Sequence, residues 1–272
     1  MSLAVEHAEH DEVPKPEVEP VLVDSHCHLF LMDGAPTAVV EDARREGVAR
    51  MVCCGIDAET STRSRELADS INGVFATAGV HPHTASDFDP AAGARIEELL
   101  SDPRVVGVGE TGLDYFRMRS LAEDQQRAFR AHCGLARESG KALVVHVRDA
   151  WPDALAILAE ERAERVILHC FSGDEAAAKE AAARGYFCSF AANLGYPKND
   201  DLRIAAAGLP EELLLVETDS PFLAPQPLRG RDNAPRNIPF VVGALAEARN
   251  AQAADLGPAT ARNAARAFGL PA

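Results

Sequence analysis

Eight short runs of apolar and β-branched residues alternate with stretches rich in Ala, Glu and Arg, and this alternation constrains the fold more than any other feature. The runs fall at residues 21–28, 50–56, 74–80, 105–110, 142–147, 165–171, 186–191 and 213–217. Helical segments are expected between them near 35–46, 58–71, 91–100, 121–139, 150–162, 174–184 and 200–207, and two more near 238–250 and 258–268. A β-run followed by a helix, repeated, is the pattern of parallel βα units. Eight such units in a chain of 272 residues have the size and order of a single (β/α)8 TIM barrel of the α/β class. A doubly wound open sheet is the alternative, but no GxGxxG follows the first run and the strand count suits closure.

Composition narrows the setting. Hydrophobic residues make up 47% of the chain, charged residues 25%, and the formal net charge is -15. That balance fits an ordinary soluble protein and argues against indiscriminate coating of nucleic acid or anionic membrane, while leaving room for a local basic groove. Residues 1–20 hold Glu6, Glu9, Asp11, Glu12, Glu17 and Glu19 against Lys15, with Pro14, Pro16 and Pro20 and no apolar period. They read as a disordered tail, which leaves 21–272 as one barrel domain. The six cysteines form no CxxC pair and read as small buried hydrophobes of a protein in a reducing cytosol. No signal peptide and no apolar run of membrane-spanning length is present. The expectation is a cytoplasmic monomer with no membrane association and no obligate protein partner.

In a barrel of this kind, active groups gather where strands end and βα loops begin. The first run ends in Asp24-Ser25-His26-Cys27-His28. Side chains two apart on a strand share a face, so His26 and His28 would leave it side by side, as a metal half-site. On the same reading Asp24 lies on that face one step back, placed to ligate or to orient a histidine. The same event recurs at His81 and His83, Glu110, His146, His169 and Asp219, so six of the eight strand ends are involved. Of the nine histidines only His7, His10 and His132 lie elsewhere. Four histidines with Glu110 and Asp219 suit two divalent metal ions sharing a carboxylate, with Glu110 as the bridge. Such a pair would hold a bridging hydroxide as nucleophile, and Asp219 could combine ligation with accepting the proton of attacking water. Glu110 and Asp219 are therefore the expected catalytic pair. Nitrogen-rich ligation favours Zn, Mn or Fe over Mg. No lysine falls at a strand's C-terminal end, so a carboxylated-lysine bridge is not available, and no GxSxG elbow offers a nucleophilic serine.

Six co-linear motifs resemble the TatD family of metal-dependent deoxyribonucleases. They are Asp24-Ser25-His26-Cys27-His28-Leu29, Gly79-Val80-His81-Pro82-His83, Gly109-Glu110-Thr111-Gly112-Leu113-Asp114-Tyr115, His146-Val147-Arg148-Asp149-Ala150, His169-Cys170-Phe171-Ser172-Gly173 and Glu217-Thr218-Asp219-Ser220-Pro221. The resemblance implies a metal-dependent hydrolase of the amidohydrolase-like group, with exonuclease activity on DNA in some members. Carried over motif by motif, it implies metal ligation by His26, His28, Glu110, His146, His169 and Asp219, and contact of His81 and His83 with substrate or bound water. Family nucleases are often assayed with Mg, so Mg, Mn and Zn are all candidate ions. The resemblance departs after the last strand: the chain reads Pro235-Arg236-Asn237-Ile238-Pro239, with Ile238 where the family commonly has a carboxylate.

Phosphate needs cationic or N–H partners, and Arg148, Arg229 and Arg236, with Arg117, Arg119 and Arg231, are the arginines near the strand ends. Tyr115, Phe116 and Phe171 are candidates for stacking a base. The leading expectation is a deoxyribonuclease of 3′–5′ exonuclease type acting on single-stranded DNA or 3′ ends. The alternative is an amide or ester hydrolase on the same centre, including an editing deacylase acting on charged tRNA, because fold and ligands do not choose between phosphorus and carbon.

Overall fold

The computed structural model describes residues 21–271, so the acidic stretch 1–20 lies outside the described residues. The eight strands are β1 (Leu22–Cys27), β2 (Val48–Cys54), β3 (Val74–Ala78), β4 (Val105–Asp114), β5 (Ala142–Arg148), β6 (Val166–Leu168), β7 (Phe187–Phe190) and β8 (Leu214–Val216). Each pairs in parallel with the next, in chain order. The connecting helices are α1 (Pro36–Arg45), α2 (Ala58–Ser70), α3 (Pro90–Leu100), α4 (Ala122–Ser139), α5 (Trp151–Glu160), α6 (Glu175–Ala183) and α7 (Asp200–Gly208), and α8 (Ile238–Arg249) and α9 (Ala253–Phe268) follow β8. The ring closes where β1 meets the residues after β8: His28 N–H donates to the Ser220 carbonyl at 2.8 Å and Asp219 N–H to the His26 carbonyl at 2.9 Å. This is the (β/α)8 barrel expected from the alternation. No helix among the described residues is long and apolar enough to cross a membrane.

The period of two along each strand builds two separate apolar layers. On β2, Met51 and Cys53 pack outward among the helices, whereas Val52 and Cys54 face the barrel interior. Inside, Val23, Phe75, Val144, Ile167 and Leu215 meet Ala264, Ala267 and Phe268 of α9, which plugs the end of the barrel where the strands begin. Fully burying each large apolar side chain in these layers contributes about 1.5–3 kcal/mol. All six cysteines are free thiols, five of them buried.

The two largest departures from the expected boundaries have physical reasons. Helix α9 begins at Ala253 and carries Pro258 inside it, because Leu256 is fully buried and its packing holds the first turns despite the hydrogen bond that Pro258 cannot make. Strand β4 runs on to Asp114 because glycines let β5 approach it closely. A Cβ on Gly109 (φ +136°) would lie 2.4 Å from the Val144 carbonyl oxygen, and one on Gly112 (φ +133°) 2.1 Å from that of His146. Those glycines thereby set the spacing between Glu110 and His146.

His132 is the one histidine of the described residues away from the strand ends, and it ties α4 to the loop after β3. Its Nδ1–H donates to the Ala128 carbonyl at 2.7 Å, and its Nε2 accepts the Val80 N–H at 3.0 Å. Burial pushes this imidazole down to about 4 from its ordinary 6.5. The unfolded chain therefore binds the proton more readily, so stability is full above pH 6.5 and is lost as pH falls towards 4. By the size of the shift this loss is about 3 kcal/mol. Urea titrations across that range should show His132→Gln losing less stability than the parent by about that amount.

Candidate metal centre

Local irregularities in two strands aim the candidate ligands. On β1, Asp24 pairs with Met51 and Cys27 with Cys53, so three steps on β1 oppose two on β2. On β4, Val108 pairs with Leu143 and Thr111 with Val145, which leaves Gly109 and Glu110 in a second bulge. A bulge re-aims a side chain that regular alternation would send elsewhere. Here His26 and His28 converge with ring centroids 4.9 Å apart, His26 stacks on His169 at 3.9 Å, and Glu110 is buried in the barrel mouth.

Glu110 is the hub. Its Oε2 lies 3.2 Å from His26 Nε2 and 3.7 Å from His28 Nε2. Its Oε1 lies 2.9 Å from His169 Nε2, 3.1 Å from His146 Nδ1 and 3.2 Å from His81 Nε2. Asp219 joins the Oε2 side, with Oδ1 3.5 Å from His28 Nε2 and 3.9 Å from His26 Nε2. Three overlapping sets have donor atoms mutually within 4.8 Å: His26, Glu110 and His169; His26, His28 and Asp219; and His81, Glu110 and His146. The carboxylate thus stands between two groups of donors.

Hydrogen bonds fix which ring nitrogens face inward. His28 Nδ1–H donates to the Cys54 carbonyl at 2.8 Å, and His169 Nδ1–H to Glu217 Oε1 at 3.1 Å. In each neutral ring the lone pair then sits on Nε2 and points into the cluster, the arrangement a metal ligand needs. His81 is set the other way. Its Nδ1 accepts the His83 N–H at 3.0 Å, so the neutral ring carries its proton on Nε2 and donates it to Glu110. Burial holds His81 down to about 4, which keeps it neutral. His83 Nε2–H donates to Asp114 Oδ2 at 2.8 Å. His81 and His83 therefore border the cluster as hydrogen-bonding groups.

The two carboxylates, Glu110 and Asp219, stay ionised by drawing positive charge from the rings around them, His169 foremost, which despite its burial Glu110 and Glu217 hold well above its ordinary value. Burial opposes ionisation of Glu110, yet the imidazoles of His169, His81 and His26 hold it well below the usual carboxylate range. Burial likewise opposes ionisation of Asp219, and the hydrogen bond from His28, in its protonated form and itself raised above its ordinary value, brings it below its own. Among the described residues neither carboxylate has a lysine or arginine ion-pair partner. Two carboxylates converging with the ring nitrogens of four histidines form a donor set suited to divalent ions.

Other expected residues are placed differently. Asp24 is not on the ligand face, because the bulge after it breaks the alternation. Its Oδ1 accepts the Thr218 N–H at 2.9 Å and its Oδ2 lies 2.6 Å from Thr218 Oγ1, which latches β1 to the end of β8. The Tyr115 hydroxyl is committed to Asp153 Oδ2 at 2.9 Å and to Gln126 at 2.8 Å. Arg236 lies 3.5 Å from Asp42 of α1, an exposed pair that turns its guanidinium towards α1. Phe171 is core, packed between Trp151 and Phe190. Arg148 and Arg229 remain available, stacked over Phe116 at 4.1 Å and Tyr196 at 4.5 Å. Sequence reasoning missed Glu217, Asp114 and the Cys54 carbonyl as supports for histidines. Glu217 was within reach, since it lies two residues before Asp219 on the same run; a supporting carbonyl leaves no mark in the sequence.

A parallel (β/α)8 barrel whose strand ends gather imidazoles around a buried carboxylate defines the metal-dependent hydrolase class. The model of the TatD-related DNases matches residues 23–269, and the chain belongs to that family. It is 39% identical over 260 residues to an uncharacterised metal-dependent hydrolase, TatD, of Mycobacterium tuberculosis, covering 92% of this chain and 98% of the relative. It is 34% identical over 239 residues to the 3′–5′ ssDNA/RNA exonuclease TatD of Klebsiella pneumoniae, covering 85% of this chain and 91% of the relative. The crystal structure of a TatD homologue from Escherichia coli K12 superposes with a TM-score of 0.88 at 27% identity, covering 92% of this chain and 98% of that one.

The latch at Asp24 yields a test of the frame. Burial pushes its carboxyl up to about 8, so it is largely protonated at neutral pH and a neutral amide can replace it. Asp24→Ala, which leaves Thr218 N–H without its acceptor, is expected to cost about 2–4 kcal/mol. Asp24→Asn should cost less than half of that, and chemical denaturation at pH 7 measures both.

Proposed function

We propose that the protein is a two-metal nuclease that shortens single-stranded DNA from its 3′ end. The observation that carries this reading is the Glu110 carboxylate, with Oε2 beside His26 and His28 and Oε1 beside His169 and His146. On this reading His26, His28, Glu110 and Asp219 would hold one divalent ion, and Glu110, His146 and His169 a second. Bound there, Zn, Mn or Mg would lower the pKa of a coordinated water and polarise the phosphoryl oxygens. Imidazole-rich ligation favours Zn or Mn over Mg.

The chain's own groups take up the rest. Glu217 and the Cys54 carbonyl hold His169 and His28 in the required tautomer. Asp219, at the mouth of the barrel, accepts the proton of the attacking water. His81, with its proton fixed on Nε2, donates towards the same space as Glu110 and can meet a phosphoryl oxygen. Arg148 and Arg229, neither in an ion pair among the described residues, supply cations for the phosphates of the bound strand. The exonuclease relative supports the substrate class, and six free thiols support a reducing compartment.

The test uses chelator-stripped protein with Mg, Mn or Zn restored. Substrates are 5′-labelled single-stranded DNA, a simple phosphodiester, a carboxyl ester and a charged tRNA. The expected outcome is a ladder shortening from the 3′ end, lost with chelator and reduced at least about 10²–10⁴-fold in Asp219→Ala. His28→Ala should remain folded but lose the rise in melting temperature that added metal gives the parent. Ester or aminoacyl-tRNA cleavage with intact DNA would keep the centre and overturn the substrate. Full activity in Asp219→Ala would overturn the mechanism.

A further inference from the structure

We propose that Phe222 is the stacking shelf on which the unpaired base beside the scissile phosphate rests, and that this ring makes the site select single strands. The inference rests on the nuclease reading and adds the residue that recognises the substrate.

Phe222 follows the candidate ligand Asp219 by three residues, and its ring stands 6.1 Å from that of His28, at 70°. It is 52% exposed. Large apolar side chains exposed singly are common, but this one is held rigidly. Phe222 N–H donates to the Asp219 carbonyl at 2.9 Å, and Asn233 N–H to that of Pro221 at 2.9 Å. Buried Asn233 also clamps the turn through its side chain, donating to the carbonyls of Thr218 at 2.9 Å and Leu223 at 3.3 Å. The backbone is thus fixed while the ring faces solvent at the rim of the centre. Among the described residues it is the only exposed large hydrophobic side chain in ring contact with a candidate ligand.

Its surroundings suit a nucleotide strand rather than a small ester. Phe30 meets His28 at 5.7 Å, and the Arg63 guanidinium lies 5.9 Å over Phe30. Arg229 lies over Tyr196 on the adjoining loops. Neither arginine has a carboxylate partner among the described residues, so both keep their charge for phosphate. Aromatic faces alternating with free cations are the chemistry of single-stranded nucleic acid recognition. A base inside a duplex is already stacked and paired and cannot lie on the ring. Stacking also ignores the sugar, so the shelf serves DNA and RNA alike.

The test is a cycle between protein and substrate, with the metal-loaded parent, Phe222→Ala and Phe222→Trp. Each is assayed on a single-stranded oligonucleotide and on copies with a tetrahydrofuran abasic residue on either side of the scissile bond. A base–aromatic stack predicts that Phe222→Ala lowers kcat/KM about 10- to 100-fold on the intact strand, mostly through KM. One abasic substrate should cost the parent a similar factor and cost Phe222→Ala nothing more, while Phe222→Trp keeps parental activity. The parent's preference for single-stranded over blunt duplex ends should shrink in Phe222→Ala by the same factor. Equal losses on intact and abasic strands would assign the ring to supporting His28 and overturn the shelf, as would no loss at all. If no oligonucleotide is cleaved, the nuclease reading itself has failed. Fluorescence anisotropy of the same strands on the Asp219→Ala protein then decides the shelf separately, and binding that ignores the base overturns it.

Discussion

A carboxylate buried at the centre of a ring of imidazoles, with no arginine or lysine beside it among the described residues, is the constraint on which this structure turns. Taking such an ion out of water costs several kcal/mol, and only well-placed opposite charge offsets it. Glu110 meets that demand by using both oxygens, one towards the histidines of β1 and the other towards those of β5 and β6. The four histidines come from strands far apart in sequence, so the arrangement exists only when the barrel is closed. Closure depends on the seam between β1 and β8, where Asp24 holds Thr218 between the two strand ends that carry His26 and Asp219. Folding and the assembly of the centre are one event.

The barrel divides its labour along its axis. At the end where the strands begin, α9 inserts Ala264, Ala267 and Phe268 among inward-facing Val, Ile and Leu, and the contribution is stability. At the other end the strands stop packing against one another and display polar groups. The change is made by local devices. Gly109 and Gly112 allow a backbone approach that any Cβ would block, and bulges on β1 and β4 turn His26 and Glu110 inward. Conformations that weaken a strand elsewhere are used here to aim the candidate ligands.

Those devices explain what was legible in the sequence. The barrel followed from the alternation, because period and order survive small errors at the boundaries. The cluster followed from the positions of His26, His28, His81, His83, Glu110, His146, His169 and Asp219, because strand ends in a barrel converge whatever the details. Asp24 was placed on the wrong face because a bulge inserts one residue without any mark in composition. Tyr115, Phe171 and Arg236 are engaged within the protein for a related reason. Whether an aromatic is core and whether an arginine is already paired depend on neighbours distant in sequence, here Asp153, Trp151 and Asp42. Phe222 escaped notice on the same ground, since nothing in the order of residues says that its ring is left in solvent.

On the proposed reading an acidic protein acts on a polyanion, which requires that its charge be unevenly distributed. The formal net charge is -15, which opposes approach of nucleic acid at long range. On the outer helices arginines are consumed internally: Arg65 by Asp102, Arg130 by Glu160 and Glu161, Arg184 by Glu180. Around the centre the guanidinium groups of Arg63, Arg148 and Arg229 instead lie on aromatic rings, which orient them without neutralising them. Affinity at such a mouth is local, made of a few desolvated contacts, and the acidic remainder discourages binding anywhere else. On the proposed nuclease reading, a strand end that reaches the centre is held there and the body of a duplex is not.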